Sequence, residues 1–123
     1  MTVKEQLIAS IETNIDAYME IVQTLYDNPE IGNEEFETMK LLVSYLTKAG
    51  FDTQSAYIVP TGFLGTYDTH KPGPTIAVMC EYDALPEVGH GCGHNLIAAI
   101  GVATGEAVKG IIDQFGGKLL VVG

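Results

Sequence analysis

Most of the side chains able to do chemistry lie in one stretch, Glu81-Tyr82-Asp83-Ala84-Leu85-Pro86 followed by Gly89-His90-Gly91-Cys92-Gly93-His94-Asn95. It holds two of the three histidines, one of the two cysteines, and the acids Glu81 and Asp83. Cys92 and His94 offer a thiolate and an imidazole two residues apart, a pairing that suits zinc or another borderline-soft divalent ion. In extended or turn backbone, side chains at i and i+2 can face one point, and the interleaved glycines leave room around an ion. Asp83 is placed to orient an imidazole ligand from behind. Other chemistries use the same residue types. The loop could cradle phosphate at a helix N-terminus, although its spacing puts His94 or Leu96 where G-x-G-x-x-G needs its third glycine. Cys92 with His90 or His94 as base would make a cysteine nucleophile. In the blandest reading the two histidines only cap a helix, Cys80 is a core thiol and His70 is solvated.

The elements that must position this stretch follow from periodicity. Thr2-Val3-Lys4-Glu5 has capping-box spacing. Apolar residues then recur at helical intervals from Val3 to Tyr26, predicting one helix that Asn28-Pro29 ends. Asn33 is expected to cap a second helix, with Phe36, Met39, Leu42, Val43, Leu46 and Ala49 as its stripe and Gly50 just past its end. Asp52–Val59 and Gly62–Tyr67 read as short strands. Thr75–Cys80 is a continuous apolar run, expected to be a strand buried on both faces. A helix is predicted from Asn95 to about Gln114, with Gly101 and Gly105 as a close-packing face, and Lys118–Val122 reads as another buried strand. The chemistry-bearing stretch therefore joins the carboxyl end of a strand to a helix, where open α/β sheets place ligands. This order predicts an α/β layered sheet.

Composition narrows the partners. The 123 residues include sixteen acids and six lysines but no arginine, for a net charge of −10. Such a chain repels phosphate backbones and has no basic stripe to track one, so nucleic acid is not expected. No run approaches the ~18 apolar residues of a membrane span. The N-terminus has no signal-peptide core, and two cysteines make no disulfide framework, which points to the cytoplasm.

Asp83-Ala84-Leu85-Pro86 followed by His90-Gly91-Cys92-Gly93-His94-Asn95 resembles the M20 metallopeptidases, in the branch of aminobenzoyl-glutamate and N-acyl-amino-acid hydrolases. Leu25-Tyr26-Asp27-Asn28-Pro29-Glu30-Ile31-Gly32 with Glu34-Glu35 resembles that branch's entry segment, so the similarity runs along essentially the whole chain. The resemblance implies a partial three-layer α/β/α zinc-exopeptidase-like fold, with residues 1–123 forming the N-terminal part of the catalytic domain. It implies that Cys92 and His94 are metal ligands, that Asp83 is the supporting acid, and that His90 lies near the metal. Asn95 stands where many relatives carry an acid, which suits the aminobenzoyl-glutamate and dipeptidase-like subgroup. Glu81 stands where more distant members have a histidine ligand. The implied cofactor is zinc or manganese, as a pair of ions, and the implied reaction is hydrolysis of a small-molecule amide of an amino acid. The general-base glutamate, further ligands and a smaller lid domain that pairs copies into a homo-oligomer are expected beyond Gly123, which would leave these 123 residues inactive alone. A non-catalytic binding or assembly module, and a hydrolase with Cys92 as nucleophile, are the competing expectations.

Overall fold

A computed structural model describes residues 1–123, and its first departure from the sequence pattern is at Asn14. The amphipathic run forms two helices, α1 (Val3–Thr13) and α2 (Ile15–Asp27), rather than one. The Asn14 side-chain amide donates to the Ser10 carbonyl at 2.9 Å, the local competition with backbone bonding that makes asparagine a poor helix-interior residue. At the chain start the expected cap is present: the Glu5 amide donates to the Thr2 hydroxyl at 3.1 Å.

The second expected helix is α3 (Phe36–Lys48). Asn33 does not cap it; it sits at φ 68° in the turn before. The free amides of the first turn go instead to the Glu30 carboxylate, which accepts from Thr38 at 2.6 Å and Glu37 at 3.2 Å. That remote acid satisfies two of the donors every helix start exposes and complements the helix dipole. The strands are β1 (Asp52–Ser55), β2 (Phe63–Asp68), β3 (Thr75–Met79) and β4 (Lys118–Val122), with α4 (His94–Lys109) and a short 3-10 turn (Ile112–Gln114) before β4. β1 stops well short of Val59 because Ala56 and Ile58 turn to positive φ, and the last expected helix breaks at Gly110, leaving only the 3-10 turn beyond it.

The sheet order is β1-β2-β4-β3, antiparallel except for the parallel pair β3–β4. The fold is thus α/β with a mixed sheet, as the element order implies. Of the two strands expected to be buried, one holds that place and the other does not. β4 is flanked on both sides, by β2 and β3, so its backbone is satisfied. β3, expected to be buried on both faces, is the edge strand, and its Ile76 and Met79 are exposed. A continuous apolar run marks a strand's composition but not its rank in the sheet.

One face of the sheet carries the core. Phe63, Leu119 and Val121 are fully buried against Leu42 and Leu46 of α3 and Val102 of α4, each such side chain worth about 1.5–3 kcal/mol. α3 and α4 are joined to α2 by Glu106, whose carboxylate accepts from the Tyr18 and Tyr45 hydroxyls at 2.5 and 2.6 Å.

α4 lies unusually close to the sheet because Gly101 and Gly105 face it. A Cβ added at Gly101 would collide with the Cys80 sulfur and come within 3.1 Å of the Met79 carbonyl, and one at Gly105 would lie 2.6 Å from Val121 Cγ2. Glycine-to-alanine in a helix interior ordinarily gains about 1 kcal/mol. Here overpacking costing about 1–3 kcal/mol reverses the sign. Gly101→Ala, with the closer collision and a tight contact to backbone besides, is expected to destabilise more than Gly105→Ala in urea denaturation, and a stabilised Gly101→Ala would show that α4 is not seated this closely.

Candidate functional site

The chain leaving β3 stays extended, and its alternation sorts the side chains. Cys80, Tyr82 and Ala84 point into the core at 4%, 4% and 2% exposure. Their anchors are specific: the Cys80 amide donates to the Val122 carbonyl at 2.7 Å, Tyr82 stacks on Phe63 with its hydroxyl donating to the Thr61 carbonyl, and the Ala84 amide donates to the Glu30 carbonyl at 2.7 Å. With period two fixed by these burials, Glu81 and Asp83 both emerge on the opposite side.

His94, the first residue of α4, meets them there. Its Nδ1 lies 2.6 Å from Asp83 Oδ1 and its Nε2 lies 3.2 Å from Glu81 Oε2. Gly93, the residue before the helix, has φ 85°, a left-handed turn that side-chain-bearing residues resist; this turn aims the imidazole back at the strand exit. When Asp83 accepts the Nδ1 proton, Nε2 presents a lone pair to the Glu81 carboxylate. Two acceptors at that separation repel unless a cation, either a proton on the ring or a metal ion, stands between them. A carboxylate on one ring nitrogen is the device that fixes the tautomer of a metal-ligating histidine, and here the other nitrogen is directed at Glu81.

The other expected residues are placed less uniformly. Cys92 is a free, exposed thiol on the loop, and neither imidazole makes a hydrogen bond or ion pair with it. No group of three or more His, Cys, Asp or Glu side chains is arranged to hold a metal ion. Asn95 is buried and turned away from His94, its amide donating to the Val22 carbonyl at 3.2 Å; it fastens the start of α4 to α2. His90 is buried, and both its ring nitrogens lack a hydrogen-bond partner. Burial and the neighbouring His94 lower its proton affinity below the ordinary 6.5, against the opposing pull of Asp83.

Glu35 is a residue that spacing did not reveal. It lines a cavity of about 150 Å³ together with Thr61, Glu81, Tyr82 and Asp83, and its Oε1 is buried without a partner. Burial pushes the Tyr82 phenol up, and the Glu35 charge adds to that shift. In sequence Glu35 belongs to the entry segment and lies 46 residues before Glu81; the fold alone brings them together.

The two thiols differ in kind. Burial pushes Cys80 from 9.0 up to about 12. Because the folded state holds this proton more tightly than the unfolded chain, Cys80's contribution to stability is complete below pH 9 and is lost as pH rises towards 12. Iodoacetamide at pH 8 is expected to label Cys92 alone, with Cys80 reacting only after urea unfolds the chain. Equal labelling of both in the native state would contradict the packing of α4 on β3.

No family model matches the chain. Among curated proteins it is 34% identical to a subunit of the p-aminobenzoyl-glutamate hydrolase of Escherichia coli, over 87% of this chain and 26% of that protein. It is 32% identical to the human Xaa-Arg dipeptidase, over 74% of the chain and 24% of the relative. The chain thus spans about a quarter of the length of the curated relatives it matches. A Bacillus subtilis structure described as a dinuclear metal-binding peptidase of the M20 family superposes with a TM-score of 0.80 at 21% identity, covering 90% of this chain and 35% of that one.

Proposed function

Because the chain belongs to the M20 family of metallopeptidases and amidohydrolases, we propose that residues 81–94 supply part of the metal site of an amide-hydrolysing enzyme. The observation that carries this reading is the clamp on His94: Asp83 at 2.6 Å on Nδ1, with Nε2 turned to a second carboxylate rather than to a hydrogen-bond donor. Asp83 is then a positioning residue that fixes the tautomer. His94 Nε2 and the Cys92 thiolate are the donors offered to the ion, the second requiring the loop to turn its exposed sulfur inward. A divalent ion bound there supplies a Lewis acid that polarises the amide carbonyl and makes water nucleophilic near neutral pH. The imidazole–thiolate pair favours zinc over manganese on softness, and the neighbour described as dinuclear supports a pair of ions.

The substrate class follows from what the relatives are named for, p-aminobenzoyl-glutamate and Xaa-Arg dipeptides. Both are amides joining an acyl or aminoacyl group to the nitrogen of an amino acid. With no three ligating side chains converging, the 123 residues alone are expected to bind metal weakly. A cysteine-nucleophile hydrolase is disfavoured, since neither His94 nor His90 makes a hydrogen bond or ion pair with Cys92.

Zinc protection of Cys92 from iodoacetamide tests this without requiring turnover, with Cys80 as the internal unreactive thiol. Saturating zinc is expected to slow Cys92 labelling strongly, His94→Ala to abolish the protection, and Asp83→Asn to weaken zinc binding by about 10–100-fold. Cys92 labelling that zinc leaves unchanged would remove it from the metal site. In the enzyme containing this chain, chelation should abolish hydrolysis of N-acyl amino acids.

A further inference from the structure

Two neighbours on the loop before α4 are left unsatisfied, in opposite ways. Only 8% of His90 is exposed, yet neither of its ring nitrogens has a hydrogen-bond partner. Buried polar groups are almost always paired, and one left unpaired carries its full desolvation cost. Cys92 is the reverse case, a thiol standing in solvent. The backbone that joins them is loosely held. From His90 to Gly93 it makes one hydrogen bond, from the Gly93 amide to the His90 carbonyl at 3.4 Å, and neither the amide nor the carbonyl of Cys92 enters one. Glycine stands on each side of Cys92, so both flanking residues can take either sign of φ, as Gly93 already does at 85°. His90 also lies beside the site, because the charges of both His94 and Asp83 reach its ring.

We infer that His90 is a positioning residue for Cys92: when the 91–93 turn brings the sulfur inward to a divalent ion beside His94, the His90 imidazole donates an N–H to the thiolate. The inference rests on the metal-site reading above for the ion itself. Cys92 gives its proton to solvent as the sulfur–metal bond forms, and the imidazole proton stays on its nitrogen. A neutral imidazole already carries one N–H, so no change of charge on His90 is needed. A hydrogen bond to an ionised acceptor is about twice as strong as a neutral one, and donors behind a metal-bound group fix its orientation. One rotation of the turn thus pairs the buried ring and takes the thiol out of water. The spacing His90-Gly91-Cys92-Gly93-His94 then has a division of labour. His94 binds the ion with the sulfur, and His90 holds the sulfur in place.

Cobalt(II) and zinc alone are the probes, added to the 123-residue chain. Saturating cobalt is expected to give a thiolate-to-metal charge-transfer band that Cys92→Ser abolishes. His90→Phe keeps a ring but removes both nitrogens. In it the band is expected to move to lower energy, since no donor stabilises the sulfur lone pairs, and metal affinity is expected to fall about 10–100-fold. His90→Gln retains an N–H donor and is expected to restore band energy and affinity in part. With zinc, nitrogen-15 spectra of the unsubstituted chain should show one His90 ring proton becoming protected from exchange, a readout that needs no variant to fold. Absence of the charge-transfer band would remove Cys92 from the metal site, and this inference with it. A band whose energy and affinity are unchanged in His90→Phe, or a zinc-loaded chain in which no His90 ring proton gains protection, would overturn the role of His90 and leave the metal site standing.

Discussion

The distance between α4 and the sheet governs the rest of the molecule. Two glycines one helical turn apart remove the side chains that would hold the helix off, and Cys80 and Val121 fill the space they leave. This seating brings the first residue of α4 down to the end of β3, within reach of Glu81 and Asp83. A helix held one methyl group farther out would still bury its apolar face, but His94 would lose its 2.6 Å contact with Asp83. Packing density at Gly101 and Gly105 and the geometry of the candidate site are therefore one constraint seen at two places.

The strand exit supplies the complementary half. Tyr82 is held at both ends, by ring stacking on Phe63 and by its hydroxyl bond to Thr61, so the residues on either side of it have no rotational freedom about the strand. Glu81 and Asp83 point outward as a consequence of that burial. Glu30 links this exit to the helical layer, because its carbonyl binds the Ala84 amide while its carboxylate caps α3. One residue thus joins a helix start, a loop and the approach to the site, which gives a structural reason for an acid after Asn28-Pro29.

Much of this was legible in the sequence because it is local. Helical periodicity located α2, α3 and α4, the small-residue face of α4 was read from the four-residue spacing of its glycines, and the strand-to-helix junction placed Asp83 and His94 together. What escaped depends on pairing across long separations. Thr75–Met79 and Lys118–Val122 have similar apolar composition, yet one is the edge and the other is central, and only the sheet order distinguishes them. Asn33 has the chemistry of a cap, but Glu30, three residues earlier, takes that role by folding back over the turn. Asn95 sits beside His94 in sequence but faces α2, because neighbours on a helix are about 100° apart around its axis. Glu35 was visible only as part of the entry segment, and nothing in its local pattern places it beside Glu81 and Asp83.

β4 pairs with β2 on one side and β3 on the other, and no other strand touches both. β1 and β2 can form a hairpin from neighbouring sequence, but β3 has no partner other than β4. The chain therefore carries β3 without a hydrogen-bonding mate, and leaves α4 with only part of its floor, until β4 has been made. In the order of synthesis from the ribosome, closure of the sheet and seating of His94 against Asp83 both wait for β4. A nascent chain halted before Lys118 would hold helices and a hairpin, with the strand that leads into the site still waiting for its neighbour.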